Sequence, residues 1–182
     1  MYRPLLCLFC SLVLYFTLSY VSMVNVVAYP YVHDFFTFPK SETLVIISNI
    51  IPFVSVLYRI TVTPFPKWSL YLYRISMMYL LKGLIQFVTI VPSVDGVTPC
   101  VNRTVLQMIL LGNCSDMMFS GHTGITLLTS PHKFRFFIST VIGIALVAGH
   151  QHYTSDVVIS VIVVYWIEII FPEKKHNYDI LG

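Results

Sequence analysis

From Leu5 to Ala28 the chain runs for 24 residues without one charged side chain. A helix of roughly 20 such residues crosses the roughly 30 Å of bilayer hydrocarbon, and the run is too long for the core of a signal peptide. In lipid every backbone amide must find its partner internally, so the structure open to such a chain is helical. Further apolar stretches cover 43–62, 70–91, 116–130, 134–149 and 153–171, divided by Pro-containing or polar segments. The expected fold is all-α: one polytopic membrane domain over 1–182 with six transmembrane helices, at about 5–28, 43–62, 70–91, 116–130, 134–149 and 153–171. The fourth and fifth are short and need neighbours to cover their ends. The brief apolar segment 104–111 reads as an interfacial or re-entrant piece.

Composition supports the membrane reading, because 57% hydrophobic and 10% charged residues with a mean hydropathy of +0.79 exclude an ordinary soluble domain. The net charge of +3 carries little meaning as a total, since membranes sort charge by position, and nucleic-acid binding is not indicated. The four cysteines match no zinc spacing and read as apolar filler.

Six spans place both chain ends on one side. Arg3, Arg59, Lys67, Arg74, Lys133, Arg135, Lys174 and Lys175 flank that side, and only Lys40 and Arg103 flank the other. Positive charge accumulates in the cytoplasm, so both termini are expected there. Lys82 falls within the third span, where it either faces a polar cavity or snorkels. The sequons at Asn102 and Asn113 then fall on the non-cytoplasmic side, with Asn102 the acceptor that leaves the candidate site clear.

Four histidines, His33, His122, His150 and His152, gather in the non-cytoplasmic flanks beside Asp34, Asp116 and Asp156. Ser120-Gly121-His122-Thr123 leads directly into an apolar stretch, so Ser120 is a natural N-cap. The amides exposed at such a terminus, with the helix dipole, favour a bound phosphate. Gly121 permits close backbone approach, and His122 is placed to give or take a proton. His152 and Asp156 lie four residues apart and hence on one helix face. The carboxylate orients the imidazole through one nitrogen and leaves the other as a nucleophile. His150 lies off that face, as a helix end or a head-group contact. Two histidines and a carboxylate suit phosphoryl-group transfer with neither metal nor cofactor. One imidazole attacks phosphorus and the other protonates the departing alkoxide. The same residues lack a compact metal spacing.

The segment Cys114 to Thr123 resembles the C-G-D-x-x-x-S-G-H-T element of the sphingomyelin synthase family, within the lipid phosphate phosphatase superfamily, and His152 to Val157 resembles its H-Y-T-x-D-V element. Pro30 to Asp34 and Val88 to Pro92 are more loosely similar to two further elements, in the family's order. The resemblance implies a six-helix lipid phosphate phosphatase-like core in a Golgi or plasma membrane, with the site on the lumenal or exoplasmic face. It implies transfer of phosphocholine or a related phospho-head group from phosphatidylcholine, phosphatidylethanolamine or phosphatidylinositol to ceramide, releasing diacylglycerol. His152 would be the nucleophile, Asp156 its orienting partner and His122 the acid and then the base. Asp116, Ser120, Gly121, Lys82, Asp34 and Tyr153 would serve the substrate site.

Two alternatives stand beside this expectation. A lipid phosphate phosphatase would use the same histidines and let water resolve the intermediate. Its K-x6-R-P element is matched in spacing by Lys67 and Arg74, with Ile75 in place of Pro, at the cytoplasmic end of the third span. A non-catalytic membrane scaffold would keep the helices without the chemistry.

Overall fold

The computed structural model describes residues 2–24, 34, 36, 38–89 and 118–173. Among them the secondary structure is entirely helical: α1 (Tyr2–Val24), α2 (Glu42–Val62), a 3₁₀ turn (Phe65–Lys67), α3 (Trp68–Val88), α4 (Gly121–Thr129), α5 (Arg135–Ala148) and α6 (Thr154–Ile170). The helices start and stop for local reasons. Ser41 caps α2 by accepting from the Leu44 amide, and Glu42 complements the dipole of the first turn. Pro64 and Pro66 break the chain between α2 and α3, where the Trp68 indole donates to the Thr63 carbonyl at 3.1 Å.

The helices alternate in direction. Tyr15 packs on Tyr79, and Ser19 Oγ donates to Gln86 Oε1 at 2.7 Å, so α1 and α3 run parallel. A Cβ on Gly83 would lie 3.1 Å from the Tyr15 Cα, so the small residue lets these two backbones approach. The Ser41 amide donates to the Ala148 carbonyl, which joins the start of α2 to the end of α5. Arg59, near the end of α2, reaches the C-terminal carbonyls of α4, while Arg74, near the start of α3, reaches that of α6. One end of the bundle therefore carries the starts of α2, α4 and α6. The other end carries the starts of α1, α3 and α5.

Helix α4 packs against α2, α3, α5 and α6, whereas α1 packs against α3 alone among the described elements. Met78, Phe119, Leu127, Leu128, Val164 and Ile167 form the apolar core that α3, α4 and α6 share. Around it the usual distribution is inverted: Arg74, Lys82, Gln86, Ser120, Thr126, His152 and Asp156 are buried, while Phe9, Ile50, Phe53, Phe136, Phe137, Trp166 and Ile170 are exposed. Among the described residues the outer surface is thus rich in large apolar side chains.

Tyr2–Val21 and Glu42–Val62 are each long and apolar enough to cross a membrane, with mean hydropathies of 2.0 and 1.8. Two of the six expected spans thus meet that measure by themselves. Helix α3 has the length, at 21 residues, but carries Arg74, Lys82 and Gln86 inward. Helices α5 and α6 have 14 and 17 residues. Of the described residues in the stretch expected over 116–130, the nine of α4 are helical, about 13 Å at a rise of about 1.5 Å per residue. The ends of the first and third expected spans, at 25–28 and 90–91, and the segment 104–111 lie outside the described residues.

Candidate active site

The starts of α4 and α6 meet at one end of the bundle. Ser120 is the N-cap of α4, with an extended backbone whose side chain accepts from the Thr123 amide at 3.2 Å. The Thr123 hydroxyl adds a second bond to Ser120 Oγ at 3.1 Å, and the Gly124 amide donates to the Ser120 carbonyl. These bonds use the third and fourth amides of the cap region. Among the described residues the Gly121 and His122 amides are the ones left to a ligand. The Ser120 amide donates to the Asp156 carbonyl, which ties the start of α4 to the first turn of α6.

The turn that delivers His152 is a Schellman motif. The Gln151 amide returns to the Leu146 carbonyl and the His150 amide to the Val147 carbonyl, both at 3.0 Å. His150 takes the left-handed position, with φ of 57°, which a glycine would fill without strain. Its ring nitrogen Nε2 bonds the Phe38 carbonyl at 2.8 Å, so a tertiary contact holds the residue there. Of the two roles open to His150 in the sequence, this structure gives it the helix end.

Two residues later His152 is buried, with Nδ1 3.1 Å from Asp156 Oδ2. Asp156 has no exposed surface, and its carboxylate also accepts from the Tyr153 amide at 2.9 Å and from the Ser155 hydroxyl at 3.2 Å. The Tyr153 amide, the Ser155 hydroxyl and the His152 ring converge on this one buried carboxyl group and fix its orientation. Because Asp156 accepts, His152 carries its hydrogen on Nδ1 and its lone pair on Nε2. The Ser160 hydroxyl donates to the Asp156 carbonyl at 2.6 Å and steadies the same turn.

His122 approaches from α4, its ring centroid 6.5 Å from that of His152 with the planes at 64°. Its Nε2 lies 3.1 Å from Asn49 Oδ1 on α2. Lys82 reaches the same place from α3: a Cβ on Gly121 would lie 2.7 Å from its Nζ. The ammonium also lies 5.4 Å from the centre of the Tyr15 ring and 6.0 Å from that of Phe119. Four helices thus contribute to one cluster: Asn49 from α2, Lys82 from α3, Ser120 to His122 from the start of α4, and His152 with Asp156 from α6.

The remaining sequence candidates divide. Asp34 accepts from the Thr154 amide and hydroxyl at 3.0–3.1 Å, so it anchors the first turn of α6. Tyr153 is buried as the N-cap residue of that helix. Asp116 and His33 lie outside the described residues, as do Asn102, Cys100 and Cys114. Lys67 and Arg74 sit at the opposite end, Lys67 paired with Glu173 at 3.5 Å and Arg74 bonded to the Phe171 carbonyl at 2.7–3.0 Å. The 17 residues of α6 separate that end from His152, about 25 Å along the axis.

Asn49 was not singled out in the sequence. The one local signal is a lone amide side chain in the apolar run Leu44 to Pro52, and its partner stands 73 residues away. Among the described residues no group of three or more His, Cys, Asp or Glu is arranged to hold a metal ion. No protein-family model matches the chain, and a comparison with curated proteins finds no match.

Proposed function

We propose that the chain is a six-span membrane phosphotransferase that moves a phospho-head group from a glycerophospholipid to ceramide. The observation that carries this reading is the meeting of His122, Lys82 and the Asp156-oriented His152 at the open amides of α4. An in-line displacement at phosphorus needs a nucleophile roughly 3 Å from the reacting atom and an acid within roughly 3 Å of the leaving oxygen. The 6.5 Å between the two imidazole centres is the scale of that arrangement.

The steps balance with these groups alone. His152 Nε2 attacks phosphorus, the bond from phosphorus to the diacylglycerol oxygen breaks, and His122 gives its proton to the departing alkoxide. Diacylglycerol leaves and the phospho-head group stays on His152. His122, now neutral, takes the proton of ceramide's primary hydroxyl as that oxygen attacks phosphorus. The bond to His152 breaks, and the phosphosphingolipid departs. The Gly121 and His122 amides and the Lys82 ammonium stabilise the charge on the equatorial oxygens.

The membrane reading draws on the exposed apolar surface, the alternating helix directions and the basic end of the bundle. Helices α3, α4 and α6 pass polar side chains inward and lean on neighbours, so their own length and apolarity understate their place in a bilayer. Arg59, Arg74 and Arg135 gather at the end opposite His122 and His152, which supports a reading with that end cytoplasmic and the site lumenal or exoplasmic. Transfer is preferred over hydrolysis because Lys67 and Arg74, the pair that matched a phosphatase element in spacing, are engaged about 25 Å from His152.

The test offers purified protein in nanodiscs ceramide with head-group-labelled phosphatidylcholine, phosphatidylethanolamine and phosphatidylinositol in turn. A labelled phosphosphingolipid, with diacylglycerol in equal amount, is expected from one donor or more, and His152→Ala abolishes it. Release of free head-group phosphate would make the protein a phosphatase. Products that ignore the His152 substitution would leave a scaffold.

A further inference from the structure

We infer that Asn49 is a positioning residue that holds the hydrogen of neutral His122 on Nε2, so that Nδ1 is the atom that exchanges protons with the lipid oxygens. The inference rests on the transfer reading for its chemistry and on hydrogen bonding for its geometry. Asn49 Nδ2 lies 2.7 Å from the Val45 carbonyl oxygen, one turn earlier on α2. A carbonyl only accepts, so the amide nitrogen must be on that side and Oδ1 must point away from it. The atom 3.1 Å from Oδ1 is His122 Nε2. Since Oδ1 also only accepts, that nitrogen must be the donor, and the ring's lone pair is left on Nδ1.

The same logic applied to His152 puts its hydrogen on Nδ1, against Asp156, and its lone pair on Nε2. The two histidines are therefore held in opposite tautomers by acceptors from different helices. Each ring is anchored through one nitrogen and works through the other. In the first step, the Nδ1–H of the His122 imidazolium is the proton the alkoxide takes, while Nε2–H stays on Asn49. In the second, the ceramide hydroxyl proton returns to Nδ1. Without an acceptor at residue 49, neutral His122 divides between its two tautomers, and the fraction protonated on Nδ1 cannot act as base.

The test labels the full chain with ¹⁵N-histidine in nanodiscs and assigns His122 by its loss in His122→Gln. The expected spectrum has His122 as the Nε2–H tautomer. Asn49→Leu shifts it toward a mixture and lowers transfer by roughly 10- to 100-fold, a part of what a placed acid–base supplies. Asn49→Asp keeps an acceptor, so it keeps the Nε2–H signature and restores transfer to within roughly fivefold of wild type. A wild-type His122 protonated on Nδ1, or an Asn49→Leu spectrum identical to wild type, overturns the assignment. Should Asn49→Leu fail to fold, the wild-type spectrum and Asn49→Asp decide. Absence of any His152-dependent transfer in wild type would refute the transfer reading and leave the tautomer spectrum to be judged separately.

Discussion

Replacing Gly121 by Ala separates the work of the α4 terminus from its stability. The added Cβ would lie 2.7 Å from Lys82 Nζ, 3.7 Å from Cε and 3.8 Å from Cδ. Ordinary contact is roughly 3.5 Å, so the ammonium must retreat by roughly 0.8 Å while the rest of the side chain stays. The moving group is the far end of a flexible chain. Removing a glycine from a helical position also lowers the entropy of the unfolded chain, worth about 0.4–1 kcal/mol in favour of the variant. The folded state should therefore keep its stability to within about 1 kcal/mol. Function responds differently. Moving a unit charge from about 4 Å to about 5 Å from a phosphate oxygen, at an effective dielectric of about 20, loses about 0.8 kcal/mol, or roughly fourfold in rate. If the direct charge-assisted bond is lost, the cost rises to about 1.5–3 kcal/mol, or roughly 10- to 150-fold. The assay is transfer of labelled head group to ceramide beside thermal unfolding of the same preparation. Full activity in a stable Gly121→Ala protein would refute the role given to Lys82 and the α4 amides. Collapse of stability would show that the cluster is structural.

Asp156→Asn keeps a side-chain oxygen for the His152 ring and the Tyr153 amide but removes the charge that stabilises a developing imidazolium; transfer should fall by roughly 10²- to 10⁴-fold, with little change in thermal unfolding. Arg59→Leu removes donors from the Thr129 and Ser130 carbonyls and from Tyr71 Oη, and should lower stability in detergent by about 2–4 kcal/mol, measured by thermal or denaturant unfolding. Single cysteines in place of Phe36 and Lys133, in a chain freed of its own cysteines, should react with impermeant reagents from opposite sides of sealed vesicles; labelling from one side would rule out the six-span arrangement.

Elements whose cause is local were legible in the sequence. The apolar runs give the helices, Ser120 announces the start of α4, and the spacing of His152 and Asp156 places them on one face. Elements whose cause lies across the bundle were not. Arg59 and Arg74 read as charges that merely flank spans, yet both cap the carbonyl ends of helices 70 and 97 residues away in sequence. Asn49 carried no spacing rule, because its partner arrives on another helix. Lys82 could be placed in the third span, but whether it met a site or water depended on how α3 packs against α4. Hydropathy continues through Phe119, whereas the capping bonds of Ser120 begin α4 after it, so apolarity and helix start are set by different residues.

Helix α4 is clamped at both extremities, by Ser120 on α6 at one and by Arg59 on Thr129 and Ser130 at the other. It therefore behaves as a ruler between two fixed stops. One inserted residue would demand about 1.5 Å more length and about 100° of rotation. His122 would swing away from its neighbour on α6 even though every original side chain survived. In this bundle the count of residues between serine cap and arginine clamp is as strict a requirement as the identity of the histidine itself.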